Sequence, residues 1–233
     1  AGVANLASVG DGDIFIMKSD LDGNFLWAYR IGGVENEFVT AMTVDPSGNI
    51  YLAVAFQGTI DADPGAGVFN ITQPSFANGV FLLKLNSNGT FVWAKQFGAP
   101  NESINIAALG LDVNNNVIIA GEFFNSVDIN FDAPVVTFNT GVDVFSDTYI
   151  MEVSAAGAFT WAKQLRTTSA LPIVFDANYP EEIVIDDNDN ILIIGWLRGA
   201  MDLDPGAGNV TLNSNTGEGV YIAKYSSTGN YLW

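Results

Sequence analysis

The chain has 233 residues with no cysteine and no histidine, and its 26 acidic residues outnumber its 8 basic residues to give a formal net charge of −18. This charge disfavours binding to nucleic acids and anionic membrane surfaces, and the missing residue types exclude disulfide frameworks and Ser–His or Cys–His catalysis within the chain. Hydrophobic residues make up 48% and charged residues only 15%, which excludes a disordered chain and favours one β-rich domain.

The first repeat unit contains short apolar runs separated by turn signals. These runs lie at residues 14–18, 25–31, 39–44 and 50–56, and a further short run lies at residues 68–71. Runs of this length between turn residues are typical of β-strands and do not show the period of an amphipathic helix. We therefore predict two successive hairpins, forming a four-stranded antiparallel meander within the unit.

A short aromatic motif marks the repeat. Residues 25–28 are Phe-Leu-Trp-Ala. Similar segments recur within the chain and at its end, with tryptophans at positions 27, 93, 161 and 233. Self-similarity at one period is the sequence signature of repeat architectures. We interpret these tryptophans as packing anchors between neighbouring repeats, with a carbohydrate-stacking surface as the alternative. Trp196 lies outside this motif. We interpret it as a larger residue at the position that an aromatic residue occupies in the segments 55–58 and 122–125.

Two families of turns connect the predicted strands. The first carries glycine at one equivalent position, as Gly23, Gly89, Gly157 and Gly229. The second family comprises residues 45–49, 112–116 and 186–190, where Asn or Asp replaces glycine in two of the three turns. We predict a positive φ angle at the shared position, because glycine adopts it without strain and Asn and Asp tolerate it.

The repeat predicts an all-β fold, a β-propeller segment of about three complete four-stranded antiparallel blades plus partial ones at both ends. A single four-stranded sheet cannot bury both of its faces, so repeated sheets must stack. We assign residues 1–12 to the end of a preceding blade, 13–79, 80–147 and 148–219 to blades, and 220–233 to a truncated blade. These incomplete ends predict that the chain is a fragment of a longer protein.

The third unit carries an inserted loop near residues 167–180. Insertions in repeat arrays often gather on the binding face, so the loop is a candidate partner-binding element, with partner contacts expected at residues 172–179. A tolerated surface insertion is the alternative.

Three acidic loops, at residues 61–67, 128–134 and 202–208, are the one recurring polar feature. Each begins with an Asp-x-Asp or Asp-x-Asn pattern, and residues at i and i+2 of an extended segment point to the same side. Oxygen ligands of this kind suit Ca²⁺. The candidate metal ligands are Asp61, Asp63, Asp128, Asn130, Asp132, Asp202 and Asp204. The alternative is that these side chains cap turns by accepting hydrogen bonds from backbone N–H groups.

The sequence resembles the bacterial SBBP-type β-propeller repeat. The resemblance rests on residues 13–18 (Asp-Ile-Phe-Ile-Met-Lys), 22–28 (Asp-Gly-Asn-Phe-Leu-Trp-Ala), 44–52 (Val-Asp-Pro-Ser-Gly-Asn-Ile-Tyr-Leu) and 61–65 (Asp-Ala-Asp-Pro-Gly), and it spans nearly the whole chain. It is most similar to repeats of large secreted proteins of the Bacteroidota, which often end in a type IX secretion sorting domain. The resemblance implies a scaffold or surface module outside the cell.

The leading hypothesis is a non-catalytic extracellular propeller module for protein interaction or adhesion at a bacterial cell surface. Its expected partners are a protein or a glycan, together with the remaining blades of its parent chain, and neither nucleic acid binding nor membrane insertion is expected. The alternative is a structural subunit of a surface filament or secretion-associated complex. A carbohydrate-active enzyme is less favoured, because the carboxylate pairs at 35/37 and 181/182 are isolated and unrepeated.

Overall fold

The computed structural model describes residues 5–73, 78–98, 102–140, 146–168 and 178–233. Within these ranges the named secondary-structure elements are all β-strands. The strands are β1 (Ile14–Ser19), β2 (Phe25–Gly33), β3 (Glu37–Val44), β4 (Ile50–Phe56), β5 (Thr59–Asp61), β6 (Asn70–Thr72), β7 (Gly79–Leu85), β8 (Phe91–Phe97), β9 (Ser103–Leu111), β10 (Val117–Phe124), β11 (Ser126–Asp128), β12 (Thr137–Asn139), β13 (Asp147–Val153), β14 (Phe159–Thr167), β15 (Tyr179–Ile185), β16 (Ile191–Asp202) and β17 (Thr211–Tyr225). The predicted all-β fold is confirmed. No helix in the described ranges is long and apolar enough to cross a membrane.

The chain divides into two compact units, Ala1–Gln96 and Phe97–Trp233. The first unit contains sheet 1, with strand order β1-β2-β5-β6, and sheet 2, with order β3-β4-β7-β8. The second unit contains sheet 3, formed by β9, β10, β13 and β14, and sheet 4, formed by β15, β16 and β17, and a short pairing of β14 with β16 joins them. The hairpin β11–β12 stands apart from these sheets. The named strands pair antiparallel throughout, as predicted.

Sheet 2 takes its strands from two successive repeat units. β3 pairs with β4, and β4 pairs with β7 across the 79/80 boundary. β2 does not continue the ladder to β3; its residues Gly32 and Gly33 pair instead with Asp61 and Ile60 of β5. Sheet 2 therefore combines strands from two repeat units, whereas the sequence predicted a four-stranded meander within one unit. The unit boundaries given above remain a prediction of the repeat pattern.

The predicted turn geometry is confirmed. The shared position has φ between 58° and 85° at Gly23, Gly48, Gly89, Asn115, Gly157, Asp189 and Gly229. In the second family the first aspartate also closes the turn. Asp45 Oδ1 accepts hydrogen bonds from Ser47 N and Asn49 N, both at 2.9 Å, and Asp45 Oδ2 accepts one from Asn49 Nδ2 at 2.7 Å. The motif Asp-x-x-Gly/Asn/Asp-Asn thus encodes a self-closed hairpin turn.

Side chains alternate between the two faces of a sheet along each strand. Because the sequence repeats, equivalent faces of the four sheets can be compared. We define the forward face as the one that bears Ile14 and Ile16 in sheet 1, Val80 and Leu82 in sheet 2, Thr148 and Ile150 in sheet 3, and Val220 and Ile222 in sheet 4. The rear face bears Phe15 and Met17, Phe81 and Leu83, Tyr149 and Met151, and Tyr221 and Ala223, in the same order.

Within each unit a forward face packs on a rear face. In the first unit Ile14 and Ile16 share an apolar cluster with Phe81 and Leu83, and Trp27 packs against it. In the second unit the equivalent cluster joins sheets 3 and 4, and Trp161 packs against it. Its members include Ala120, Ile150, Ile193, Tyr221 and Ala223. The interpretation of Trp27 and Trp161 as packing anchors between sheets is confirmed.

The interpretation of Trp196 is wrong. The positive φ angles at Gly58, Asn125 and Gly199 give the correct alignment of the three units at this point. Two residues before each lies a buried apolar side chain, which is Phe56, Phe123 or Leu197. Trp196 therefore aligns with Ala55 and Glu122, and it lies exposed on the forward face of sheet 4.

Candidate functional site

The first aspartate of each acidic loop caps its own loop. Asp61 Oδ1 accepts hydrogen bonds from Asp63 N at 3.1 Å and from Phe69 N at 2.8 Å. Asp128 and Asp202 bind the two equivalent backbone N–H groups of their loops at 2.8–3.1 Å. This repeated pattern fixes the ends of each loop and satisfies backbone donors.

The second side chain of each pattern closes the tip of the loop. Asp63 Oδ1 accepts a hydrogen bond from Gly65 N, and Asp204 Oδ1 accepts one from Gly206 N, both at 2.8 Å. In the middle loop Asn130 Oδ1 accepts from Asp132 N at 2.9 Å, while Asn130 Nδ2 donates to Pro134 O at 2.6 Å. Asp132 Oδ2 accepts from Phe159 N at 3.0 Å and so ties its loop to β14.

These contacts match the turn-capping interpretation of the acidic loops. Across the described ranges, no three or more His, Cys, Asp or Glu side chains come together as metal ligands. A single loop brings two carboxylates at most, so a bound Ca²⁺ would need backbone carbonyls or water to complete six to eight ligands. The structure therefore explains the recurrence of the motif by hydrogen bonding, and the calcium assignment stays a prediction.

A cavity of about 410 Å³ lies in the second unit between β12, β14 and the third acidic loop. Its lining residues are Thr137, Phe138, Asn139, Ala162, Lys163, Gln164, Arg166 and Pro205. Two of the chain's eight basic residues line it, and its walls contain no carboxylate. In a chain of net charge −18, this is a local site that favours an anionic group.

Gln164 joins the two walls of the cavity. Its Nε2 donates hydrogen bonds to Asn139 O at 2.7 Å and to Asp147 Oδ2 at 2.5 Å. Asp147 is buried, and its Oδ1 accepts from Thr167 N at 2.7 Å. Burial raises the pKa of Asp147 above its usual value, although these hydrogen bonds and the Arg166 charge act in the opposite direction. Each of its oxygens accepts a hydrogen bond from a neighbouring residue, so Asp147 positions the cavity wall.

Sequence reasoning missed this cavity. The available signal was the segment Trp161-Ala-Lys-Gln-Leu-Arg166, which contains two of eight basic residues. Strand alternation alone does not place Lys163, Gln164 and Arg166 beside the short hairpin β11–β12. That placement depends on pairing between residues distant in sequence.

The inserted loop is described only at its ends, since residues 169–177 lie outside the described ranges. Asn178 is fully buried at its base: Nδ2 donates to Thr167 Oγ1 and Oδ1 accepts from Arg198 N, both at 2.9 Å. Asn178 thus anchors the returning chain. The predicted partner contacts at residues 172–179 fall mostly outside the described part of the chain and remain a prediction.

The carboxylate pairs considered for hydrolysis lie away from the cavity. Glu35, Glu181 and Glu182 are exposed, and Glu37 is buried with Oε2 accepting a hydrogen bond from Gly33 N at 3.1 Å. None of these four residues lines the cavity. Burial is the main cause that raises the pKa of Glu37, and the Glu35 charge acts in the same direction.

Comparison with known proteins supports the architecture. The chain is 24% identical over 237 aligned residues to an uncharacterized WD repeat-containing protein of Acanthamoeba polyphaga mimivirus, covering 91% of this chain but 16% of that protein. Together with the antiparallel sheets, this similarity supports a repeat protein with a β-propeller-like fold. A solved structure of a protein of unknown function from Bacteroides caccae aligns with 97% of this chain and 90% of that chain at 11% identity and a TM-score of 0.34. No protein-family model matches.

Proposed function

We propose that the chain is a non-catalytic β-propeller module that binds a protein partner through an acidic segment of that partner. One observation carries the proposal: the cavity beside β14 holds Lys163 and Arg166 and no carboxylate. Neither basic side chain forms a hydrogen bond or an ion pair with another described residue, and Arg166 is exposed. Lys163 can therefore meet a carboxylate of a bound partner, and the exposed Arg166, whose charge also acts on Asp147, lies in the same cavity.

A short glutamate-rich peptide is a suitable probe, with a glutamine-rich peptide of equal length as the uncharged control. We expect the glutamate-rich peptide to shift the amide NMR signals of Lys163, Gln164 and Asn139, and the shifts to weaken with added salt. Lys163→Ala with Arg166→Ala is expected to abolish the shifts. Arg198→Ala removes a cation that does not line the cavity and serves as the matched control. Equal responses in the two variants would contradict the proposal.

The extracellular location belongs to the same proposal. The SBBP-type motifs at residues 13–28 and 44–65 support a secreted protein of the Bacteroidota that uses type IX secretion, acting in adhesion to a protein or glycan. Immunodetection of this chain on intact source cells or in the medium is the expected result. Detection confined to the cytoplasm would contradict it.

Calcium binding at the acidic loops is proposed as a stabilising feature. The Oδ2 atoms of Asp61 and Asp202 do not take part in the loop-capping hydrogen bonds, which leaves oxygen donors at two equivalent positions. We expect chelation to lower the melting temperature and added Ca²⁺ to restore it. The double variant Asp61→Asn with Asp202→Asn should weaken this response, whereas an unchanged melting temperature of the wild type after chelation would rule out a structural Ca²⁺.

A structural subunit of a larger assembly is the second candidate function. Exposed apolar residues on sheets 1 and 4 favour it, because such surfaces on soluble proteins mark association sites.

A further inference from the structure

Gln164 presents a fixed hydrogen-bond acceptor to the cavity beside β14. The nitrogen of a side-chain amide carries two hydrogen atoms, and Gln164 Nε2 uses both, donating to Asn139 O at 2.7 Å and to Asp147 Oδ2 at 2.5 Å. No described residue donates to Gln164 Oε1, and Oε1 is not one of the fully buried side-chain atoms without a partner. The amide oxygen is therefore the polar atom of Gln164 that a ligand in the cavity can reach.

The bridging glutamine is a feature of the repeat. Gln96 is its equivalent in the first compact unit, and its Nε2 donates to Thr72 O at 3.3 Å and to Gln73 Oε1 at 3.1 Å. Both glutamines lie three residues after the tryptophan of the aromatic motif. In both places the amide nitrogen ties an outer strand to a neighbouring short hairpin, so the nitrogen has a structural role and the oxygen is left for binding.

Arg166, in contrast, is particular to this cavity. The equivalent positions, five residues after the tryptophan of the motif, hold Gly32 and Gly98. The fold therefore does not need a long side chain here, and Arg166 is exposed. Residues i and i+2 of a strand project to the same side, so Gln164 and Arg166 leave β14 in one direction, about 7 Å apart along the strand. Lys163 adds a second cation to the same cavity.

We propose that the cavity binds one acidic residue of the partner through two of its groups. The carboxylate meets Lys163 and Arg166, and the main-chain N–H of the same residue donates to Gln164 Oε1. A glutamate or an aspartate carries both groups on one Cα atom, so it matches cations and an acceptor that lie side by side on β14. The cavity thus selects an acidic residue within a polypeptide over a polyanion without N–H donors. This binding mode rests on the proposed function, since it names the chemistry that recognises the acidic segment.

The test compares the glutamate-rich peptide with an oligoester of 2-hydroxyglutaric acid of equal length. The oligoester keeps every carboxylate and replaces each main-chain N–H with an oxygen atom that cannot donate. NMR titration of the wild type with each ligand gives the two dissociation constants. We expect the peptide to bind about threefold to tenfold more tightly, which corresponds to one neutral hydrogen bond.

Gln164→Lys separates the acceptor from the bridge. A lysine ammonium can still donate to Asn139 O and to Asp147 Oδ2, but it carries no acceptor. We therefore expect this variant to bind both ligands with equal affinity, and Gln164→Leu, which also lacks an acceptor, to do the same. Gln96→Lys makes the matched change at a bridge that does not line the cavity, and it should keep the preference of the wild type. Circular dichroism spectra establish that each variant is folded.

A wild type that binds the oligoester as tightly as the peptide overturns this binding mode and leaves the proposed function standing. A preference of wild-type size in Gln164→Lys or Gln164→Leu also overturns it. A wild type that binds neither ligand contradicts the proposed function and this binding mode together. The comparison of the two ligands on the wild type decides the question without any variant.

Discussion

Lys224 Nζ lies 2.6 Å from Asp186 Oδ2, so the last full strand of sheet 4 is tied to the turn that begins at Asp186. Sheet 2 has Lys84 at the equivalent position, and its charge acts on Asp45 in the equivalent turn. Sheet 3 breaks the pattern, because Glu152 occupies this position and faces Asp112. Burial and the Asp112 charge raise the pKa of Glu152 above its usual value.

We expect Glu152→Lys to stabilise the chain at neutral pH by about 1 kcal/mol, since it replaces a repulsive pair with an attractive one. Glu152→Gln separates the two effects by removing the repulsion alone. A raised folded-state pKa means that the stability associated with protonated Glu152 is present below the reference pKa of 4.5 and is lost as pH rises through the folded pKa. The gain from Glu152→Gln should therefore appear at neutral pH and vanish below 4.5. Denaturant unfolding at several pH values measures it, and a gain independent of pH would contradict this account.

Trp196 and Leu197 are adjacent but lie on opposite faces of β16. Leu197→Ala is expected to lower the free energy of unfolding by about 2–4 kcal/mol, because Leu197 is buried in the cluster between sheets 3 and 4. Trp196→Ala should change it by less than about 1 kcal/mol at protein concentrations low enough to keep single chains apart. Chemical denaturation measures both values, and the reverse order would show that the alignment of this strand is wrong.

Asp45 stabilises its turn through three accepted hydrogen bonds. We expect Asp45→Ala to cost about 2 kcal/mol. Asp187→Ala changes an exposed residue within an equivalent turn and should be nearly neutral. Burial raises the pKa of Asp45, but hydrogen bonds from Asn49 and Ser47 lower it by more than burial raises it. The pKa of Asp45 therefore lies below the reference value of 3.8. The contribution of Asp45 is thus present above pH 3.8 and lost as pH falls through the folded pKa. Equal losses for both variants would contradict the capping role.

Gly121 is required where β10 passes Tyr149. A Cβ atom at this position would lie 2.7 Å from both Tyr149 Cε1 and Tyr149 Oη, and would also contact Asn105 O. Tyr149 cannot move freely, because its hydroxyl donates to Asn105 O at 2.9 Å. We expect Gly121→Ala to destabilise the chain by about 2 kcal/mol or more. Gly217→Ala is the control, since its nearest atom is Ser214 O at 4.0 Å. A thermal melt of Gly121→Ala that matches that of Gly217→Ala would contradict the close approach.

Local features of this fold were predictable from sequence. The four apolar runs of the first unit became β1 to β4 within two residues at each end, and the turn glycines have the expected φ angles. These features depend on neighbouring residues, namely side-chain alternation and the small set of residues that tolerate positive φ.

Long-range features were not predictable in the same way. A repeat of four similar strands has no local signal for which strand begins a sheet, so the pairing of β4 with β7, rather than of β2 with β3, required the structure. The cavity beside Lys163 also depends on distant pairing. Trp196 does not occupy the position of Phe56, because the positive φ angles at Gly58 and Gly199 align Phe56 with Leu197.

Equivalent forward-face positions are buried in sheet 3 and exposed in sheet 4, as Ile150 and Ile222 show. Because the chain has no cysteine, Ile150→Cys and Ile222→Cys each introduce a single thiol for maleimide labelling. We expect the thiol of Ile222→Cys to react at a rate close to that of a free thiol, because Ile222 is exposed. The thiol of Ile150→Cys should react only through unfolding. Equal labelling rates in the two folded variants would contradict the claim.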